Sequence, residues 1–178
     1  MSTNEKVLKW APRLEWITLM ALFILPVGVA GGLLLSGSMT EAVASNAQAY
    51  VAPGSLTTAQ VATSIGLSLI TPLILMGILW NMRDLFQSYR RGEILTPGCA
   101  DRIIRTGQGF LALALVPFVL QPVQTALLTL NNPQGERAIS IGLNSDMLLF
   151  ALSGAWIIVI GWAMREASDV AAENRAFV

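Results

Sequence analysis

The chain has 178 residues, of which 54% are hydrophobic and 12% are charged, and its 11 basic residues balance its 11 acidic residues. Soluble domains carry about a quarter charged residues, so this composition argues against an ordinary soluble protein, and the balanced charge predicts no polyanionic partner. Histidine is absent and Cys99 is the only cysteine, which excludes histidine acid–base chemistry, His/Cys zinc sites, histidine-ligated haem and intrachain disulfides.

Long uncharged stretches divide the sequence. They run over residues 16–40, 42–82, 106–134 and 147–164. A membrane-spanning helix needs about 20 mainly apolar residues, so the sequence predicts an all-α integral membrane four-helix bundle that forms one domain over residues 1–178. We place the spans at residues 14–36, 62–82, 108–130 and 146–164. A soluble all-helical alternative would leave too little chain to cover four nearly uncharged helices.

The first span follows a basic tail and precedes small residues at 42–45, an order that also occurs in secretory signal peptides. A signal peptide has an apolar core of about 7 to 15 residues, and the apolar run here is longer. We therefore expect an uncleaved first helix. Within it, Gly28 and Gly32 have the four-residue spacing that is typical of closely packed membrane helices.

Two polar connections are predicted to form external loops, at residues 37–61 and 131–145. Pro53 and Gly54 mark a turn in the first loop, and Thr57 or Thr58 is a candidate N-cap for the helix of span two. Asn144 is a candidate cap before span four. Neither loop contains clustered carboxylates, so we predict no metal site and no bound cofactor.

Residues 83–107 are expected to form a cytoplasmic helical hairpin that extends spans two and three. The sequence NMRDLFQSYRRGE continues the helix of span two, with apolar and charged side chains on opposite sides. Gly92 stands where a helix ends in a left-handed residue, and Thr96 with Pro97 is typical of an N-cap and first helical residue. The hairpin is therefore predicted to have a short, defined turn.

The distribution of basic residues predicts the orientation. Ten of the 11 lie in the N-terminal tail, the predicted hairpin and the C-terminal tail, and Arg137 alone lies in an external loop. Basic residues of short loops stay on the cytoplasmic side. Both termini and the hairpin are therefore predicted to be cytoplasmic.

An ionisable side chain inside a span would be the most direct sign of transport. The uncharged runs contain none. Span three carries a polar face made of Gln108, Gln121, Gln124 and Thr125. Two interpretations remain open: the face packs against other helices through hydrogen bonds, or it lines a pocket for a small ligand, a lipid head group or a quinone. Pro117 and Pro122 predict that this helix is the most irregular of the four.

The segment LFQSYRRGEILTPGCADRIIRTG, residues 85–107, resembles the bacterial membrane family called domain of unknown function 2975 (DUF2975). That family has a span, a Y-x-x-G-E-hydrophobic-hydrophobic-T turn, a basic helix and two further spans. The tail MREASDVAAENRAFV is similar to the family's ending, with Ala172-Glu173-Asn174 in place of an E-E-N triplet. The resemblance implies four spans in a bacterial inner membrane and, in many members, a gene beside a small helix-turn-helix regulator.

The favoured function is a non-enzymatic accessory or regulatory protein of the inner membrane, which docks a partner through the hairpin and tail. Its candidate partners are the lipid bilayer, a small helix-turn-helix regulator, another membrane subunit and a second copy of the chain, without direct nucleic-acid binding. Alternatively, these charges only pair with each other and with anionic lipid. The candidate docking residues are Tyr89, Arg90, Arg91, Glu93, Arg102, Arg105, Glu173 and Asn174.

Two other functions compete with docking. A small transporter or channel subunit would use the polar face of span three. A lipid- or quinone-linked enzyme would need Cys99, Glu93 or Asp101, and nearby arginines could activate the Cys99 thiol. Because no base is placed beside these groups, we expect no catalytic residue and no enzyme activity.

Overall fold

A computed structural model describes residues 3–35, 43 and 56–176, and it contains only helices and connections over these ranges. Four stretches are long and apolar enough to cross a membrane: Leu8–Gly32, Thr58–Arg90, Pro97–Thr129 and Ser145–Glu173. These features confirm an all-helical chain with four potential spans. Most of the first predicted external loop, including Pro53 and Gly54, lies outside the described residues. The helices are α1 (Thr3–Leu35), α2 (Thr58–Ser68), α3 (Ile70–Arg90), α4 (Pro97–Thr129) and α5 (Ser145–Ala176).

Helix α2 begins at a capping box and leads almost directly into α3. The Thr57 hydroxyl accepts a hydrogen bond from the Gln60 amide (3.4 Å), and the Gln60 side chain accepts one from the Thr57 amide (2.9 Å). Thr57, rather than Thr58, is therefore the cap. Only Leu69 separates α2 from α3, because Pro72 cannot donate to the carbonyl one turn earlier and its ring crowds that turn.

The connection between α3 and α4 has the local geometry that its residues predict. Helix α3 ends at Arg90, and Gly92 has φ +81°, a conformation that favours glycine. Thr96 caps α4 by accepting from the Cys99 amide (3.4 Å), and Pro97 is the first helical residue. We call residues 91–96 the α3–α4 turn.

The described helices pack in a series in which α1 lies on α3, α3 on α4, and α4 on α5. Helix α2 rests mainly against the end of α4. This arrangement fits a helical bundle. Helices α1 and α5 occupy the two ends of the series, so each is held mainly by one neighbour.

Glycines bring α4 and α5 into close contact. A Cβ atom at Gly107 would lie 2.8 Å from the carbonyl oxygen of Gly154, and one at Gly154 would lie 2.7 Å from that of Gly107. Gly161 lies against Ile104 in the same interface, about two turns further along α5 than Gly154. The spacing of Gly28 and Gly32 predicted a helix contact, either within the chain or with a second protein. Within the chain, no described atom lies within 4 Å of a Cβ built at either residue.

Helix α5 begins beside the middle of α4 rather than beside its end. Gly142, just before α5, lies against the Gln121 side chain, and Phe150 contacts Phe110 with ring centroids 6.1 Å apart. The last part of α4 therefore extends past α5 and packs on α2. A small apolar core forms there from Val43, Leu56, Val61, Ile65 and Leu128.

Candidate functional site: the charged end of the helices

Ion pairs join each helix of the series to the next near one end of the molecule. Glu15 of α1 pairs with Arg90 of α3 (3.0 Å), and Asp84 of α3 pairs with Arg102 of α4 (3.6 Å). Asp101 of α4 pairs with Arg165 of α5 (3.1 Å). We call this region, together with the α3–α4 turn, the charged end. Its ion pairs cross-link the helices that carry the turn.

Glu15 is the most buried member of these pairs, with 7% of the residue exposed. Burial of a carboxylate is unfavourable unless hydrogen bonds and an opposite charge compensate it. Arg90 supplies both through a 3.0 Å hydrogen bond from Nη1 to Oε2, while much of its own side chain stays exposed. Sequence reasoning missed Glu15 because it lies immediately before the uncharged run that begins at Trp16.

Asp84 interacts with two arginines. Nη1 of Arg83 lies 3.7 Å from one carboxylate oxygen, and Nη1 of Arg102 lies 3.6 Å from the other. Both distances exceed those of a normal hydrogen bond. The Arg83 guanidinium also lies over the Trp80 ring, 5.3 Å from its centroid. Arg83, Asp84 and Arg102 are hereafter the Asp84 cluster.

Asp101 and Arg165 form the most exposed pair. Nη1 of Arg165 donates to Oδ1 of Asp101 at 3.1 Å, and roughly half of each side chain is exposed. An exposed pair of this kind stabilises by about 0–1 kcal/mol. Its structural value is to align α5 with the start of α4, where Ser168 is also buried and donates to the Arg165 carbonyl (2.7 Å).

Cys99 supports the α3–α4 turn from inside. Only 1% of Cys99 is exposed, and its Sγ donates to the Glu93 carbonyl oxygen at 2.9 Å. The thiol thus ties the start of α4 to the turn and is closed to a substrate in this conformation. In the described ranges, no group of three or more Cys, Asp and Glu side chains is arranged to hold a metal ion.

The predicted docking residues fall into separate groups. Arg90 and Arg102 are engaged in ion pairs, and Tyr89 is partly buried. The Asn174 side chain lies outside the described residues. Among the predicted docking residues, four charged ones are exposed and have no ion-pair partner among the described side chains: Arg91, Glu93, Arg105 and Glu173.

The predicted polar face of α4 does not form one site. Gln108 is exposed near the charged end, whereas Gln121 lies 13 positions away, about 20 Å along the helix. Gln124 donates to the Ser68 hydroxyl (3.1 Å), and Thr125 accepts from the Ser140 amide (3.0 Å). The two side chains therefore hold neighbouring parts of the protein.

The connection before α5 is fastened to the same part of α4. Thr129, which is 1% exposed, accepts from the Ala138 amide (3.3 Å), and its hydroxyl lies 3.1 Å from the Ala138 carbonyl oxygen.

Gln60 donates to the Leu127 carbonyl (2.8 Å) and accepts from the Asn131 side chain (2.9 Å). Gln60 was missed in the sequence, although Thr-x-x-Gln at 57–60 is a capping-box pattern.

Comparisons with models of protein families, with curated proteins and with solved structures found no match to this chain. The resemblance to DUF2975 therefore stays a prediction.

Proposed function

We propose that this chain is a non-enzymatic multi-pass protein of the bacterial inner membrane that docks a partner at its charged end. The observation that carries this proposal is the division of charges there. One set joins the helices to each other, and further charged side chains stay exposed on the turn, on α4 and on α5, among them Arg91, Glu93, Arg105 and Glu173. A rigid support with free charges suits recognition of another molecule.

The apolar surface supports placement in a membrane. Large side chains such as Trp16, Phe23 and Trp156 are each more than two-thirds exposed on the long helices. Apolar surface of this extent is unfavourable in water and favourable against lipid. The basic residues favour a cytoplasmic location for both termini and the turn, since all except Arg137 lie toward that side in the predicted topology.

The docking surface that we propose consists of Arg91 and Glu93 in the turn, Arg105 on α4 and Glu173 on α5. Arg165 of α5 contacts Asp101 near the start of α4. Glu173 lies about 12 Å beyond Arg165 along α5, in the direction of the turn. Both signs of charge are present, so the partner should carry acidic and basic groups of its own. A small helix-turn-helix regulator, another membrane subunit and a second copy of the chain are the candidate partners.

A transporter or channel subunit has less support. It requires a polar path along α4, but Gln124 and Thr125 are hydrogen bonded to Ser68 and Ser140. An enzyme also has less support, because the Cys99 thiol is buried against the Glu93 carbonyl. Neither alternative uses the exposed charges around the turn.

Photo-crosslinking in native membranes tests the docking role. A photoreactive amino acid replaces Arg91 in one variant and Arg137, an exposed residue in the 131–144 connection, in a control variant. We expect Arg91 to give a discrete adduct that mass spectrometry identifies and Arg137 to give none of the same mass. A dimer adduct would identify a second copy as the partner. Absence of any discrete adduct from Arg91, or the same adduct from both positions, would contradict docking.

A further inference from the structure

The Asp84 cluster differs in charge from the other ion pairs at the charged end. Glu15 with Arg90, and Asp101 with Arg165, each combine one positive and one negative group. In the Asp84 cluster, two guanidinium groups share one carboxylate. The cluster therefore carries a net charge of +1, and a further anion would complete its charge balance.

Hydrogen bonding in the cluster is also incomplete. The closest nitrogen–oxygen distances are 3.6 and 3.7 Å, against 3.0 and 3.1 Å in the two neutral pairs. The Nε atom of Arg83 is buried without a hydrogen-bond acceptor. A guanidinium has five N–H donors and no acceptor. Two guanidinium groups with poorly filled donors are suited to an oxyanion that offers several oxygens, such as a phosphate group.

The position of the cluster favours a lipid as the source of that phosphate. Ile103 and Ile104, which follow Arg102, pack against Gly161 of α5. Gly161 lies about one turn before Arg165, the residue at which the uncharged run of α5 ends. Trp80 is 53% exposed beside Arg83, and exposed tryptophans are typical of the membrane–water interface. The cluster thus lies near the level at which lipid head groups meet the protein.

Access to the cluster is consistent with this ligand. The three side chains are between 27% and 33% exposed, so a head group can reach them while the helices shield them from bulk water. Partial shielding strengthens an interaction between a guanidinium and a phosphate relative to the same contact in water. Basic sites between helices on the cytoplasmic side are a known type of anionic-lipid site.

We propose that Arg83 and Arg102, held around Asp84, bind the phosphate group of an anionic phospholipid. Asp84 lies near both guanidinium groups and limits the positive charge of the site. This inference rests on the membrane placement proposed above and not on partner docking. Docking and lipid binding can therefore fail separately.

Lipid retention by the purified full-length protein tests the proposal. Wild type, Arg102→Gln, Arg83→Gln and the control Arg137→Gln, which removes an exposed arginine of the 131–144 connection, are incubated with equal phosphatidylglycerol and phosphatidylethanolamine. Bound lipid is measured by native mass spectrometry. We expect wild type to prefer phosphatidylglycerol. Each cluster variant should bind about fivefold less phosphatidylglycerol than wild type. The control should stay within about twofold of wild type, as expected for an arginine outside the site.

Asp84→Asn supplies a test that does not depend on a loss of folding. Removing the carboxylate raises the cluster charge from +1 to +2, so retention of phosphatidylglycerol should rise by about twofold or more. Equal loss in Arg137→Gln and Arg102→Gln would overturn the proposal, because it would show a general charge effect. A thermal stabilisation by inorganic phosphate that equals the effect of phosphatidylglycerol would overturn the lipid assignment.

Discussion

Oε2 of Glu15 lies 3.0 Å from Nη1 of Arg90, and this contact joins α1 to the end of α3 across 75 positions of sequence. Helix α1 packs mainly on α3. This ion pair is a polar contact between the two helices and helps to fix how far α1 is shifted along α3. The carboxylate is buried and the arginine is largely exposed. Loss of the arginine should therefore cost more than loss of an ordinary surface charge.

Replacing Arg90 with Gln should destabilise the protein by about 1–3 kcal/mol, because it leaves a buried carboxylate without its charged partner. Arg91→Gln is the matched control, since Arg91 is exposed beside it, and should change stability by less than about 0.5 kcal/mol. The free energy of unfolding in detergent micelles measures both effects. Equal effects of the two substitutions would show that the pair contributes no more than a surface charge.

Replacing Gly154 with Ala should weaken the contact between α4 and α5. The new Cβ would lie 2.7 Å from the Gly107 carbonyl oxygen and 2.9 Å from the Leu111 amide nitrogen. Backbone atoms cannot move aside as a side chain can, so we expect a loss of about 1–3 kcal/mol. The unfolding free energy is the measurement.

Gly77→Ala is the control for this close approach, because no atom of another described element lies within 4 Å of a Cβ at Gly77 in α3. It should be neutral or stabilising by up to about 1 kcal/mol, since alanine favours a helix more than glycine does. A neutral Gly154→Ala variant would contradict the close helix contact described above.

Replacing Thr129 with Val should loosen the connection before α5. The hydroxyl of Thr129 contacts both the amide and the carbonyl of Ala138, and valine keeps the shape but provides no hydrogen bond. A fully buried amide without a partner costs about 1–3 kcal/mol, and Ala138 is partly buried, so we expect a cost at or below the lower end of that range. Hydrogen exchange in a peptide that contains Ala138 and Ser140 should be faster than in wild type.

Thr63→Val is the control for that experiment, because Thr63 is exposed and its hydroxyl bonds only within α2, to the Ala59 carbonyl (2.8 Å). Exchange around Ala138 should be unchanged in this variant. If Thr129→Val also leaves the exchange rate unchanged, the hydroxyl does not hold the connection.

Local sequence signals predicted the end of α3 and the start of α4 at the turn that joins them. Gly92, Thr96 and Pro97 act within one turn of the chain, and their geometry is as predicted. The potential spans also follow from composition, because an uncharged apolar run of sufficient length has few alternatives to a membrane helix.

Contacts between helices were much harder to predict. The spacing of Gly28 and Gly32 predicted a helix contact without naming its partner, and the close approaches in the described chain occur at Gly107, Gly109, Gly154 and Gly161. Small residues permit close packing without choosing the partner helix. The polar face of α4 shows the same difficulty, since periodicity did not identify Ser68 and Ser140 as the partners of Gln124 and Thr125.

We propose that the chain crosses the membrane four times with its charged end in the cytoplasm. Single cysteines in place of Arg91 and Glu136, each in a Cys99→Ser background, test it by labelling with a membrane-impermeant maleimide. In intact spheroplasts we predict labelling of Glu136→Cys and protection of Arg91→Cys, which should become labelled after permeabilisation. Labelling of Arg91→Cys in intact spheroplasts with protection of Glu136→Cys, or equal labelling of both, would contradict the account.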